Sequence, residues 1–112
     1  MAVTTAWADG ARIAVAAEAT HAEAPISMVA ARAPQILIFD AGGTLLESHT
    51  NPVAANPGGA GPELARWLTK QRVRTLIAGN FGAKLSRALE EGNIRAVTAS
   101  GPAARAVKEI SR

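Results

Sequence analysis

The stretch RTLIAGNFGAKLSRALEEGNIRAVT, residues 74–98, decides the fold of this 112-residue chain. An apolar run over 74–79 predicts a strand, and after a short break the spacing of apolar residues predicts a helix over 83–91. Gly92 stands where helix ends favour glycine, and residues 94–98 predict a further strand. Strands that alternate with helices pair in parallel through right-handed crossovers, so this stretch predicts an α/β domain.

The flanking segments add three more strands and two more helices. Residues 12–16 predict a first strand, and 35–40 form a continuous apolar run of the kind that is covered on both faces. A Gly-Gly turn follows it, and residues 44–49 return as its hairpin partner. Helices are predicted over 62–71, after a loop rich in proline and glycine, and over 103–110. The predicted order is β, β, β, α, β, α, β, α, which gives a three-layer α/β domain with a mixed sheet.

Composition excludes several classes of function. The chain has no cysteine, which excludes disulfides, zinc ribbons, thiolate-ligated iron–sulfur clusters and cysteine nucleophiles. No apolar run approaches the roughly 20 residues of a membrane helix, and the N-terminus lacks the pattern of a signal peptide. We expect a flexible tail over 1–11, a single domain over 12–112 and a cytoplasmic location. The net charge of +3 comes from dispersed basic residues with few aromatic neighbours, so neither a nucleic acid nor a membrane is expected as a partner.

Two glycine-rich turns precede predicted helices. They are Gly58-Gly59-Ala60-Gly61 and Ala78-Gly79-Asn80-Phe81-Gly82. Backbone N–H groups at a helix N-terminus stabilise anions, and glycine allows a ligand to approach the backbone closely. Neither turn is a complete phosphate-binding fingerprint. The patterns therefore leave two interpretations open, an anion site or ordinary strand-to-helix turns.

Residues 36–46, ILIFDAGGTLL, resemble the nucleophile motif of haloacid-dehalogenase-type phosphotransferases. In that chemistry Asp40 would attack a phosphoryl group, with Lys84 stabilising the developing charge. The only other aspartate of the chain is Asp9, and the downstream pair Glu90-Glu91 falls at a predicted helix end on a solvated face, so no suitable acidic pair is left to hold magnesium. A phosphotransferase is therefore the alternative function rather than the preferred one.

The order of motifs over residues 11–110 resembles the dinitrogenase iron–molybdenum cofactor family. The motifs are Arg32-Ala33-Pro34 before an apolar strand, Asn51-Pro52, and the two glycine-rich turns. NifX-like proteins, the C-terminal part of NifB-like proteins and small stand-alone members such as the orange protein of sulfate reducers belong to this family. The resemblance implies a ribonuclease H-like fold with three helices and a five-stranded sheet of order 3-2-1-4-5, in which strand 2 is antiparallel.

The same resemblance implies non-catalytic binding or carriage of an anionic metal–sulfur cluster. The cargo would be a molybdenum–copper sulfide cluster or another molybdenum or iron–sulfur cluster, held non-covalently, and a cluster-receiving protein would be the partner. Many members carry a histidine just before the Arg-Ala-Pro string, where this chain has Val29-Ala30-Ala31. His21 is the candidate metal ligand in its place.

The remaining candidate residues would hold the cluster as an anion beside an apolar wall, at the carboxyl ends of strands 1 and 4. We also expect the irregular segment over 18–34 to be mobile without ligand. The predicted cluster-binding residues are Ile26, Met28, Arg32, Gly79, Asn80, Phe81, Gly82 and Lys84.

Overall fold

The computed structural model describes residues 12–56 and 60–110. It contains five strands and three helices in the predicted order, together with a 3-10 turn at Ala30–Arg32. The elements are β1 (Arg12–Ala17), β2 (Gln35–Asp40), β3 (Leu45–Thr50), α1 (Ala60–Lys70), β4 (Val73–Ala78), α2 (Ala83–Glu91), β5 (Arg95–Thr98) and α3 (Ala103–Ile110). The predicted tail over 1–11 and the glycines at 58 and 59 lie outside the described residues.

The strands form one sheet in the order β3-β2-β1-β4-β5. β2 is antiparallel to both of its neighbours, whereas β1, β4 and β5 run parallel to one another. This confirms the expected ribonuclease H-like order of 3-2-1-4-5 with strand 2 antiparallel.

The apolar run of β2 is buried on both faces because helices cover both sides of the sheet. Ile36 and Ile38 pack into a cluster with the apolar side chains of α1 and α2. Leu37 and Phe39 pack into a second cluster with those of α3. All four side chains are fully buried. At about 1.5–3 kcal/mol for each large apolar side chain removed from water, β2 is a main source of stability.

Several boundaries differ from the prediction by one or two residues, and two of these differences lie close to the candidate site. The helix predicted over 62–71 begins two residues earlier, at Ala60. Proline is tolerated in the first turn, where its missing N–H would have no intrahelical partner, so Pro62 does not mark the helix start. β4 ends at Ala78, so Gly79 belongs to the turn rather than to the strand.

The topology gathers four loops at one edge of the sheet. β1, β3, β4 and β5 all point the same way, so the chain segments that follow them meet at what we call the carboxyl edge. The β2–β3 turn and the ends of α1 and α2 lie at the opposite, amino edge. No helix within residues 12–56 and 60–110 has the length and apolar character needed to span a bilayer.

Candidate functional site

The crevice between β1 and β4 at the carboxyl edge is the topological switch point of the sheet. The chain leaves β1 toward β2 on one side and leaves β4 toward β5 on the other. In many α/β folds ligands bind at such a crevice. Residues 26–30, here called the crossing segment, pass over this crevice. Three backbone hydrogen bonds hold the segment there: Ser27 N to Ala16 O (2.8 Å), Gly79 N to Ser27 O (2.8 Å) and Ala30 N to Asn80 O (2.9 Å).

Gly79 is required by the path of the chain rather than by a ligand. A Cβ atom at this position would lie 2.8 Å from Met28 Cα and 3.0 Å from Met28 O. The main chain of Met28 occupies the approach to the Gly79 backbone, so the geometry does not favour Gly79 as an open approach for an anion. Its N–H is also engaged, since it donates to Ser27.

The turn after Gly79 presents a set of unpaired backbone donors. Gly82 has φ +76° and ψ 158°, a conformation essentially reserved for glycine. Its N–H donates to Asn80 Oδ1 over 3.0 Å, which fixes the turn and removes Gly82 from the predicted donors. Five N–H groups at the start of α2 have no hydrogen-bond acceptor among the residues that the structure describes. One belongs to the buried Leu85, and the other four are those of Asn80, Phe81, Ala83 and Lys84. We call these four groups the amide cradle.

The predicted apolar wall of Ile26, Met28 and Phe81 is not formed. Ile26 is 8% exposed and belongs to the core under α3. Phe81 packs against the cluster on the other face of the sheet, with α1 and α2. Phe81 remains partly exposed. Met28 stands with Val29 at an exposed tip, where the two side chains are 71% and 49% exposed. The contact of Gly79 with Met28 brings this apolar tip beside the amide cradle.

The two predicted cations have different surroundings. Arg32 donates from Nη1 to Ala54 O (3.1 Å) and to Asn56 O (3.0 Å), so this nitrogen fixes the loop after β3. Lys84 is exposed and lines a cleft of about 290 Å³ between α2 and Pro62. Arg87 lines the same cleft, and sequence reasoning missed it. The signal was present, because residues three apart on a helix share a face.

His21 lies on the other side of the sheet from Lys84. It is exposed, and its carbonyl accepts the N–H of Ala24 over 2.9 Å. Residues 22 and 24 are tied to the first turn of α3, since their carbonyls accept the N–H groups of Ala104 and Ala103. The described part of the chain contains no group of three histidine, cysteine, aspartate or glutamate side chains placed to hold a metal.

Asp40 caps the β2–β3 turn at the amino edge. Its Oδ1 accepts the N–H groups of Gly42 and Thr44, both over 2.9 Å. Lys84 follows the carboxyl end of β4, and a six-residue strand such as β4 spans about 20 Å. The structure therefore separates the two residues that a phosphotransferase would need side by side.

A charged network covers the β3 side of the sheet. Glu47 accepts from Arg12 Nη2 over 3.0 Å and lies 2.7 Å from His49 Nε2. The His49 ring stands edge-on to Trp67, with ring centroids 5.1 Å apart. Hydrogen bonds from His49 and then from Arg12 lower the pKa of the Glu47 carboxyl. This network joins β1, β3 and α1 and lies away from the amide cradle.

Fold and site together define a ribonuclease H-like α/β domain with unpaired backbone donors at the carboxyl edge of its sheet. The chain belongs to the dinitrogenase iron–molybdenum cofactor family, whose model matches residues 11–112. The match covers the crossing segment, the amide cradle and all three helices.

Two solved structures carry the same fold. The apo form of the orange protein from Desulfovibrio gigas superposes with a TM-score of 0.81 at 26% identity, covering 88% of this chain and 85% of that one. A Thermotoga protein solved by NMR and described as a candidate NifB protein gives a TM-score of 0.75 at 25% identity, covering 90% of this chain and 87% of that one. A search of curated protein sequences finds no match.

Proposed function

We propose that this protein binds and carries an anionic metal–sulfur cluster, of the molybdenum–copper or iron–molybdenum type, without a covalent bond to the chain. The observation that carries the proposal is the amide cradle at the start of α2, which adjoins the exposed tip of Met28 and Val29. Membership of the cofactor family supports a cluster as the cargo.

The chemistry of the cradle suits a bulky, polarisable anion. N–H groups at a helix N-terminus lie at the positive end of the helix dipole and donate to anionic oxygen or sulfur without a thiolate ligand. Lys84 and Arg87 add positive charge on the flank of α2. The thioether of Met28 is a soft donor of the kind that copper accepts, and Val29 extends the apolar contact.

We propose carriage rather than catalysis, with release of the cluster to a receiving protein. The separation of Asp40 from Lys84 supports this choice, because phosphoryl transfer from Asp40 would need a cation beside it. A direct test is a phosphatase assay on a generic phosphate ester with magnesium. We expect no activity above background, and activity that disappears in Asp40→Asn would contradict the proposal.

Titration of a thiomolybdate–copper cluster, followed by its visible absorption, tests how the cluster is held. Each charge-assisted hydrogen bond contributes about 1.5–3 kcal/mol, so Lys84→Ala is expected to weaken binding about ten- to a hundredfold. Lys108→Ala on α3 is the matched control, since it removes the same charge from the other layer. Its effect is expected to stay within about twofold, because solvent and salt screen distant charges.

Two further variants separate anion binding from metal ligation. Met28→Ala is expected to weaken binding and to shift the absorption of the bound cluster, because a soft contact is lost. His21→Ala is expected to bind normally. Binding that is abolished by His21→Ala and unchanged by Lys84→Ala would mean ligation through imidazole, and the proposed site would then be wrong.

A further inference from the structure

A second cleft lies at the amino edge of the sheet, away from the amide cradle. It has a volume of about 910 Å³ and is open to solvent. The end of α1, the starts of β1 and β4 and the end of α2 form its walls. Its principal polar side chains are Arg12, Lys70, Gln71, Arg72, Arg74 and Asn93.

The cleft concentrates positive charge. Four of its side chains are cationic, and no acidic residue lines it in the described part of the chain. Arg12 is paired outside the cleft with Glu47. Lys70, Arg72 and Arg74 are exposed and form no ion pair within residues 12–56 and 60–110. Three cations therefore face solvent close together, and no described residue supplies a counter-charge.

The backbone holds two of these cations in unusual places. Arg72 follows α1 in the left-handed region, with φ +63°, where glycine or asparagine is the ordinary choice. A non-glycine residue in that region costs of the order of 1 kcal/mol. Arg74 is the extra residue of a bulge in β4, because Arg12 pairs with Val73 and the next residue of β1 pairs with Thr75. Bulges re-aim a side chain and are common beside functional sites.

Favourable interaction with the negative ends of the helix dipoles explains only some of the cations in the cleft. Lys70, in the last turn of α1, opposes the negative end of that helix dipole. Arg72 stands at the position after the helix, and Arg74 stands in the strand, where the dipole effect has fallen off. A purely structural role for position 72 would favour glycine, which removes the backbone cost.

The polar groups between the cations indicate the class of ligand. Gln71 and Asn93 offer both donors and acceptors. Most of the last carbonyl groups of α1 and α2 already accept a backbone N–H, whereas those of Lys70 and Glu91 have no donor among the described residues. A phosphodiester has no donor for those carbonyls, whereas a peptide backbone both donates and accepts. No aromatic side chain lines the cleft in the part of the chain that the structure describes, so the stacking platform of nucleotides and single-stranded nucleic acids is missing.

We propose that this cleft binds an extended acidic segment of a partner protein. Carboxylates of the segment pair with the guanidinium groups of Arg72 and Arg74, which accept bidentate geometry, and its backbone bonds to Gln71 and Asn93. The cleft and the amide cradle lie at opposite edges of the sheet, about 20 Å apart along the strands. A partner held at the cleft therefore leaves the cradle uncovered.

Fluorescence anisotropy with the whole protein tests the proposal. The probe is a labelled peptide of about ten residues with alternating Asp and Glu, and its matched control carries Asn and Gln instead. Tight binding of the acidic peptide is expected only at low salt, weakening between about 50 and about 200 mM NaCl. The double variant Arg72→Asn with Arg74→Gln keeps a residue suited to left-handed backbone, and it is expected to weaken binding at least about tenfold.

The double variant Arg105→Gln with Lys108→Gln on α3 removes the same charge elsewhere and is expected to change binding by less than about twofold. Equal weakening by both double variants would mean non-specific attraction and would overturn the proposal. Tripolyphosphate or a single-stranded oligonucleotide that displaces the peptide at lower concentration than unlabelled peptide would overturn it as well. NMR shifts on peptide addition give a readout independent of the variants: they are expected at residues 70–74 and 93, and shifts confined to residues 79–87 would refute the site.

Discussion

Replacement of Gly79 by alanine tests the account of the crossing segment. The added Cβ would lie 2.8 Å from Met28 Cα and 3.0 Å from Met28 O. Both atoms belong to the backbone, so no side-chain rotation relieves the contact, and the crossing segment has to move away from β4. That movement breaks or lengthens the hydrogen bond from Gly79 N to Ser27 O, which is 2.8 Å long.

The expected loss of stability follows from these two contacts. Overpacking against a rigid neighbour costs about 1–3 kcal/mol, and a lost backbone hydrogen bond costs about 0.5–1.5 kcal/mol. Together they lower the free energy of unfolding by about 1.5–4.5 kcal/mol. For a domain of this size, about 1 kcal/mol corresponds to about 4 °C in Tm, so Tm should fall by about 6–18 °C.

Urea unfolding followed by circular dichroism measures the effect, with Gly42→Ala as the matched control. The atom nearest to a Cβ at Gly42 is Asp40 Oδ1 at 3.4 Å, an ordinary contact, so that variant should stay within about 0.5 kcal/mol of the wild type. If Gly79→Ala unfolds at the same urea concentration as Gly42→Ala, the crossing segment does not pack against β4 as described.

Three other perturbations have outcomes that the structure fixes. The hydrogen bonds that lower the pKa of Glu47 in the folded state add stability above its unfolded pKa, and this stability is lost as pH falls through the folded value; urea unfolding at falling pH should show a shallower acid-side decline in Glu47→Gln than in the wild type, and identical profiles would contradict this. Asn51 is 4% exposed, donates to two carbonyls and accepts from one backbone N–H, so Asn51→Ala should lower the free energy of unfolding by about 2–4 kcal/mol, and a loss below about 1 kcal/mol would be too small for a buried bridge. Without ligand the amides of Asn80 and Phe81 should exchange with solvent faster than that of Gly79, and bound thiomolybdate–copper should slow them; unchanged rates on binding would place the cluster elsewhere.

The local sequence patterns were sufficient to predict the strands and helices of the fold. The apolar run of β2 appears in the structure at the predicted position. α2 ends before Gly92 as predicted, but Gly92 has φ −90° and the left-handed residue at this helix end is Asn93, with φ 59°. The order of the sheet came from the family resemblance, because alternating strands and helices imply parallel pairing without saying which strand is central. The start of α1 was predicted at Pro62, two residues too late, because proline fits several positions of a first helical turn.

The candidate site was harder to predict because its contacts join distant parts of the chain. Nothing near Gly79 in the sequence shows that Met28 lies against it, and a glycine kept for chain packing looks the same as one kept for a ligand. Ile26 follows an irregular segment with no periodicity, so its burial under α3 had no local signal. The whole segment over 18–34 was expected to be mobile without ligand. Backbone hydrogen bonds anchor its residues 22–30 to β1, α3 and the turn after β4, so we now expect mobility in a shorter part of it.

The backbone hydrogen bonds that hold the crossing segment have a consequence for how this protein can evolve. They are made by peptide groups, so the hydrogen bonds themselves do not depend on which side chains stand at Ser27 and Ala30, although both residues are buried and leave room only for small side chains. Proline is excluded at both positions, because it lacks the N–H that each residue donates. At Gly79 the side chain is what matters. The Cβ of any residue other than glycine would collide with the main chain of Met28. Mutational drift is therefore expected to change the surface chemistry of this edge while its backbone stays the same.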